Sequence, residues 1–593
     1  MEKVSLTING IKVEVDKGAT LLEAAQKADI RIPTLCNHPD LAPVGICRLC
    51  VVEQKGRASL IPSCATLAEN GMDITTHSQR VREARRVILE LLMSEHGGDC
   101  LTCTESGCCE LQSLAQEYFA KKDDFISVAN KDPVDNSSPS IVKDDSKCIR
   151  CNRCVRTCAE LVGAWVLVAA NKGNRTIVEN FLDKSFRDSI CTNCGQCVNR
   201  CPTGALTEKN YINEVQCAMS DPDKFVVVQT APAVRVGLGE ALGLPPGKIV
   251  TGQMAAALRK LGFDAVIDTN FSADLTIIEE GNELLHRLKS ALVDKKKVSL
   301  PMMTSCCPAW IKFMEHQYPK QLAHLSSCKS PQQMMGALIK TFYAEKRKID
   351  PSKIVSVSIM PCTAKKFEAS RIEMKSSGYR DIDYVLTTRE LAHMIRQAGI
   401  QFNELEETTF DSPMGEGTGA AVIFGASGGV MEAALRTVYE VVTGRPVPFK
   451  NLNMTPLRGT EGIRTASIKI EKPLKAWKFL DGVEVNVAIA HTLANARILM
   501  KDIEKGTSPY HFIEVMACPN GCIGGGGQPM PTSAAIRGKR TAAIYKADCE
   551  LPHRKSHDNK EVQALYKQFL KEPLGHKSHE LLHTRYHERK EIK

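Results

Sequence analysis

Two runs of cysteine carry the strongest chemical signal. Cys148, Cys151, Cys154 and Cys158 are spaced C-x2-C-x2-C-x3-C, and Cys191, Cys194, Cys197 and Cys201, followed by Pro202, repeat the spacing. Thiolates at these intervals wrap iron-sulfur cubanes, and in paired runs the fourth cysteine of each ligates the cluster of the other. One 4Fe-4S cluster is therefore expected on Cys148, Cys151, Cys154 and Cys201, and a second on Cys191, Cys194, Cys197 and Cys158. Structural zinc favours two separated pairs, so it suits these runs poorly.

Upstream, Cys36, Cys47, Cys50 and Cys64 keep a central C-x2-C in a looser frame, C-x10-C-x2-C-x13-C. A 2Fe-2S cluster fits this spacing best, and four-thiolate zinc remains open on spacing alone. His96 precedes Cys100, Cys103 and Cys109. A lone histidine at a helix end is usually a surface or capping residue, but three thiols beside it favour a 4Fe-4S cluster with one imidazole ligand. Replacing a thiolate by neutral imidazole makes a cluster less negative and shifts its reduction potential upward. Cys108 is left spare. The front third thus reads as a wire of four clusters, and a wire must end at chemistry.

Seventeen of the 24 cysteines lie at or before Cys217. In the remaining chain, three apolar β-like runs end in cysteine: Val298 to Cys306-Cys307-Pro308, Ile354 to Pro361-Cys362, and Phe512 to Cys518-Pro519 with Cys522 beyond. Ligands of open α/β sheets sit outside the carboxyl ends of strands, so these cysteines are expected to converge in one crevice. Buried cysteines are often small core hydrophobes, but that role does not explain Pro or Gly at each strand exit. Gly524 to Gly527 add backbone without side chains, suited to close approach of a bulky cofactor. The glycine-rich tract 415–429 lacks both a dinucleotide fingerprint and a P-loop lysine, and reads as a turn before a helix from Val430 to Glu440.

The segments TSCCPAW (304–310), MPCTAKKFE (360–368) and EVMACPNGCIGGGGQP (514–529) resemble the three signature motifs of the iron-iron (FeFe) hydrogenases. The order of the four front groups is similar to that of the family's longer members, so the resemblance covers nearly the whole chain. It implies an H-cluster: a 4Fe-4S cubane joined through a cysteine sulfur to a two-iron site carrying CO, cyanide and an azadithiolate. Cys307, Cys362, Cys518 and Cys522 would hold the cubane, with Cys522 as the bridge. Lys365 would lie near a cyanide, Met360 and Met516 would form an apolar wall, and Pro232, Gln332 and Phe424 would stand nearby. Ala364 takes a position where the family often has serine. Cys306 would be the thiol that exchanges protons with the cofactor, and an ordinary thiol pKa of roughly 8.5 suits both directions. Glu280, Ser326, Glu283 and Arg287 would complete the relay. By themselves, Glu280, Glu283 and Arg287 at i, i+3 and i+7 read as an exposed salt-bridge ladder.

These residues need elements to position them. Residues 4–15 alternate around Asn9-Gly10 as a hairpin, and Thr20 caps a short helix beginning at Leu21. Ser78 to Glu95 places Val81, Ala84, Val87, Ile88, Leu91 and Leu92 at helical spacing and leads into His96. Residues 121–147 read as a connecting segment. From about residue 222, apolar β-like runs alternate with helical patterns, as in an α/β unit. The expected architecture is multidomain α+β and α/β: a 2Fe-2S ferredoxin-like domain (1–78), a His/Cys3 4Fe-4S domain (79–120), a two-cluster ferredoxin domain (121–215), and a two-lobed H-cluster domain with a C-terminal tail (216–593).

The composition, 43% hydrophobic and 24% charged with a net charge of +9, is that of a soluble globular protein and points to neither nucleic acid nor membrane. No export signal is visible at the start, and the longest mostly apolar stretch, 161–170, is too short for a bilayer, so a cytoplasmic location is expected. The activity implied by the resemblance is reversible H2 oxidation and proton reduction. The tail 551–573 is closer to the electron-bifurcating multimeric type, whose partners would be flavin- and iron-sulfur-containing NAD(P)-reactive subunits and ferredoxin. A single-chain ferredoxin-linked hydrogenase, an NADH dehydrogenase iron-sulfur subunit and a non-catalytic assembly or H2-sensing relative are the alternatives.

Overall fold

The computed structural model describes all residues except 1, 130–132, 181–183, 449–454, 458–459 and 590–593. The first hairpin pairs β1 (Lys3–Ile8) with β2 (Ile11–Asp16), and Asn9 and Gly10 both have positive φ, as the tight turn requires. Thr20 caps the helix Leu21–Lys27 with a reciprocal Glu23 bond. Strands β3 (Val51–Gln54), β4 (Ile61–Pro62) and β5 (Asp73–Thr75) complete a sheet in the order β2-β1-β5-β3-β4. Its apolar face encloses Leu6, Ile8, Leu21, Val52, Cys50 and Cys64.

The helix Gln79–Glu95 begins on Ser78 and ends at His96, as expected. Its buried line differs from the apolar spacing: Val81, Arg85, Leu89, Glu90 and Ser94 face inward, while Leu91 is 46% exposed. Polar partners turn the helix, since Arg85 donates to the Val51 carbonyl at 2.9 Å and to the Tyr118 hydroxyl at 3.1 Å. The segment 121–147 is more than a connection, because β6 (Ile141–Lys143) pairs with β9 (Leu206–Glu208) across the two cysteine runs. Between them, β7 (Leu167–Ala170) and β8 (Ile177–Asn180) form a ribbon.

The catalytic part has two lobes, each built on a sheet. The first is all parallel, ordered β11-β10-β13-β14, from β10 (Phe225–Thr230), β11 (Ala265–Asp268), β13 (Ile354–Met360) and β14 (Tyr384–Thr387). The second is ordered β12-β18-β17-β16-β15, from β12 (Met302–Met303), β15 (Thr455–Leu457), β16 (Thr460–Lys469), β17 (Glu484–His491) and β18 (Phe512–Met516). Valine and isoleucine strands with fully buried interiors are what helix-covered parallel sheets require. The run 298–306 makes only the two-residue β12, because Pro301 has no N–H for the ladder and Pro308 starts the helix Pro308–Gln317. The glycine-rich tract is partly helical: Gly419–Val422 and Ile423–Gly425 turn tightly before the helix Gly429–Thr443. Among the described residues, no helix is long and apolar enough to cross a membrane.

Candidate functional site: a chain of thiol groups ending in an apolar cavity

Both lobes aim their strand exits at one place. β10 leads into Pro232, β13 into Pro361 and Cys362, β12 into Cys306 and Cys307, and β18 into Cys518. Cys306, Cys307, Cys362, Cys518 and Cys522 line a cavity together with Pro232, Gln332, Met360, Lys365, Phe424 and Met516. A Cβ at Gly525 would lie 2.0 Å from the Pro361 carbonyl oxygen, so only glycine lets this loop close against the strand exit. Five thiols around a mostly apolar space fit a thiolate-held cluster with a second group anchored largely by packing. Ala364 is fully buried and is not among the cavity's lining residues.

Lys365 is held by its Nζ donating to Glu368 Oε2 at 2.9 Å and to the Cys306 carbonyl at 3.1 Å. Burial opposes its charge, but Glu368 more than offsets this and keeps the ammonium above its ordinary range. Gln332 donates to Glu368 at 3.0 Å and accepts from the Ser358 hydroxyl at 2.8 Å, so its amide is fixed by both partners. Burial, followed by the nearby Glu280 charge, pushes the Cys306 thiol well above the ordinary range assumed from sequence.

Glu280, Glu283 and Arg287 lie on the long helix Thr269–Leu292, and they face inward instead of forming an exposed ladder. Glu280 is 1% exposed, and among the described residues no group makes a close, well-aligned hydrogen bond to either of its carboxyl oxygens. Loss of solvation, then the charge of Glu283, pushes its pKa up to about 8, with Ser326 and Ser305 countering only in part. The Ser326 hydroxyl donates to Glu283 Oε2 at 3.0 Å, and Arg287 pairs with Glu283 Oε1 at 2.7 Å.

The front groups assemble in the same way. Cys36, Cys47, Cys50 and Cys64 are all buried, and the Cys36 and Cys47 amides point at each other's sulfurs at 3.4 and 3.5 Å. Sulfur hydrogen bonds from Cys47 and Cys64 hold Cys36 on the thiolate side. Cys148, Cys151, Cys154 and Cys201 line one cavity. Cys191, Cys194, Cys197 and Cys158 form another group, for burial and then mutual repulsion raise the Cys197 thiol well above its ordinary value. His96 and Cys100 share a cavity with Cys109, while Cys103 lies beside Gly204 and Cys108 is exposed. The His96 Nδ1 lies 3.0 Å from the Lys147 carbonyl, which fixes that nitrogen as the donor and leaves the Nε2 lone pair able to act as a ligand. Burial lowers its pKa and so favours the neutral imidazole a metal needs.

Residues not singled out by the sequence also belong here. Glu368 stood at i+3 from Lys365 within the quoted motif, a spacing that signals a helical ion pair. Glu279, Ser327, Cys328 and His583 gather around Glu283, and nothing in one sequence joins residues about 300 positions apart.

This fold and site define a multidomain protein of iron-sulfur type, with groups of cysteines along the front segments and a cysteine-lined cavity between two lobes. Residues 224–526 match the family described as iron only hydrogenase large subunit, C-terminal domain, and residues 534–589 match iron hydrogenase small subunit. The chain belongs to the FeFe hydrogenases and is an oxidoreductase that acts on H2. Its front segments match a 2Fe-2S iron-sulfur cluster binding domain (1–79), the NADH-ubiquinone oxidoreductase-G iron-sulfur binding region (85–123) and the NADH-quinone oxidoreductase subunit 3 ferredoxin-like domain (138–207). The chain is 47% identical over 599 residues to the NADP-reducing hydrogenase subunit HndD of Solidesulfovibrio fructosivorans, with 100% of both covered. Against iron hydrogenase 1 of Clostridium pasteurianum it is 38% identical over 589 residues, covering 98% of this chain and 99% of the relative. The solved FeFe hydrogenase HydA(deltaEFG) superposes with a TM-score of 0.59 at 45% identity, over 64% of this chain and 99% of that one.

Proposed function

We propose that the chain is the H2-converting subunit of a cytoplasmic, multimeric, NAD(P)-linked hydrogenase that bifurcates electrons. The observation that carries the catalytic reading is the meeting of Cys307, Cys362, Cys518, Cys522, Cys306 and Lys365 around one cavity. Cys307, Cys362, Cys518 and Cys522 would hold the H-cluster, which when bound supplies the centre where H2 is split or formed. Lys365 offers a fixed ammonium donor to an anionic group, while Met360, Met516, Pro232 and Phe424 exclude water. Cys306 holds a proton at Sγ, and Glu280, Ser326 and Glu283 carry protons between that sulfur and the outside.

Electrons would travel through the front clusters. The group of Cys158, Cys191, Cys194 and Cys197 is nearest the catalytic cavity: Cys194 is close enough to Cys518 to raise its thiol pKa, and a Cβ at Gly526 would strike the Cys194 carbonyl at 2.2 Å. The Cys148 group comes next. Cys151, Cys36, Cys47 and Cys109 border one apolar cluster, so the path forks there toward the 2Fe-2S and His96 groups. Flavin- and iron-sulfur-bearing NAD(P)-reactive subunits and ferredoxin would dock at those two ends. The division into units at 1–78, 79–120, 121–215 and 216–593 belongs to the same proposal.

The multimeric reading draws support from the full-length likeness to an NADP-reducing hydrogenase subunit. Infrared spectra of the matured protein are expected to show CO and cyanide stretches. Native purification should bring flavin-containing partners and H2-dependent NAD(P) reduction, measured with and without ferredoxin. A lone chain that reduces ferredoxin and leaves NAD(P) untouched would establish the single-chain type.

A further inference from the structure

Arg287 has no proton to pass on. Its guanidinium donates to the carbonyls of Ser299 (3.1 Å), Ala323 (3.1 Å), His324 (3.5 Å) and Leu325 (2.8 Å) as well as to Glu283. A guanidinium stays protonated in proteins. Arg287 therefore pins the end of the helix to the 323–325 turn and orients Glu283, and a proton that has reached Glu283 needs another acceptor.

The C-terminal segment supplies one. Residues 327–329 and 582–584 form an antiparallel bridge in which the Lys329 amide donates to the Leu582 carbonyl and the Thr584 amide to the Ser327 carbonyl, both at 2.8 Å. This register sets His583 opposite Cys328 and brings its ring to the relay. The Ser327 hydroxyl oxygen lies 3.1 Å from Glu283 Oε2 and 2.9 Å from His583 Nδ1. The other ring nitrogen, Nε2, lies 3.2 Å from Glu279 Oε2. Glu279 is fully buried and also accepts from the Tyr566 hydroxyl at 2.5 Å and the Leu574 amide at 2.9 Å.

We propose that His583 is the next proton carrier after Glu283, reached through the Ser327 hydroxyl. The inference rests on the reading of Cys306, Glu280, Ser326 and Glu283 as the proton path. In the outward direction, the Glu283 carboxyl gives its proton to the Ser327 oxygen as the Ser327 hydroxyl proton moves to His583 Nδ1. Glu283 is left as a carboxylate, Ser327 as a hydroxyl, and His583 as an imidazolium beside Glu279. The inward direction reverses these transfers. Imidazole both accepts and releases protons near neutral pH, and Glu279 fixes its orientation through Nε2.

The titratable groups facing His583 are Glu279, Glu283, Cys328, Tyr566 and His579, with Arg287 beyond Glu283. Cys328 Sγ is 4.0 Å from Nδ1, but burial raises its thiol well above the ordinary range, and it stays protonated. The exposed His579 ring lies with its centroid 4.3 Å from that of His583, which brings the path to the surface within one side chain.

The alternative role is a clasp that only fastens the C-terminal segment, and the matured full chain distinguishes the two. His583→Gln retains hydrogen bonding but cannot carry a proton. H2 turnover in His583→Gln and His583→Ala is expected to fall by at least about tenfold with an altered pH profile, while the CO and cyanide bands stay in place. Added imidazole should restore part of the activity of His583→Ala. An independent readout is the carboxyl C=O infrared band assigned by Glu283→Gln, whose pH titration should shift in His583→Gln even without the cofactor. Full activity of His583→Gln beside an inactive Cys306→Ala would overturn the His583 step alone. Normal turnover by Cys306→Ala would overturn the relay on which it rests.

Discussion

Glu280 shows how one residue's burial sets its chemistry. A carboxyl whose pKa rises on folding, here from 4.5 to about 8, stabilises the fold fully below the unfolded value and loses that contribution as pH climbs through the folded one. In the cofactor-free chain, stability is expected to drop between about pH 4.5 and 8. Glu280→Gln should flatten that drop by a few kcal/mol relative to the parent, as measured by urea midpoints across the range. An identical pH dependence in parent and variant would remove Glu280 from the buried path. His96 makes the complementary case on the electron side. His96→Cys should retain a cluster but add negative charge to it, so redox titration followed by EPR should show a lower potential. An unchanged potential would leave His96 as a helix cap.

At the scale of elements, buried charges join units that the sequence treats separately. Asp40, from the loop that carries Cys36, accepts from Arg200 at 2.5 Å and from Arg537 at 2.8 and 2.9 Å. Arg200 precedes Cys201, and Arg537 lies on the helix Ala534–Glu550 and donates to Asn520 of the third motif. One carboxylate thus ties together the loop that carries Cys36, the segment that carries Cys201 and the C-terminal helix Ala534–Glu550. Asp40→Ala would leave two buried guanidinium groups without a counter-charge, at a cost of roughly 3–5 kcal/mol. A lowered melting temperature and slower reduction of the Cys36 cluster should follow, whereas an Asp40→Ala protein that melts like the parent would mean the units dock by apolar contact alone. A similar device serves the catalytic cavity, where Glu514 of β18 caps the helix Gly429–Thr443 by accepting from the Gly428 and Met431 amides at 2.6 and 2.7 Å.

For the molecule as a whole, the decisive number is metal content. Twenty expected ligands, His96 and 19 cysteines, correspond to about 20 irons per chain if cluster types follow their ligand patterns. Iron near 14 after maturation would mean that the H-cluster is absent. Iron near 10 together with zinc would break the four-cluster wire.

Much of this protein was legible from short-range pattern. The close cysteine spacings pointed to cluster types because neighbouring ligands recur at intervals a turn of backbone can span, while the FeFe hydrogenases were legible only as a resemblance of the three motifs. Thr20, Ser78 and Asn9-Gly10 marked local structure through bonds reaching three residues or fewer. The tertiary structure decided what depends on distance through space. Burial, not helical spacing, set Glu280 and Glu283 facing inward instead of along a surface ladder, and polar partners on other segments rotated Leu91 outward and Arg85 inward. Asp40 meets Arg537, and Ser327 meets His583, across hundreds of residues, because sheet register and packing bring them together, and no local signal records such meetings.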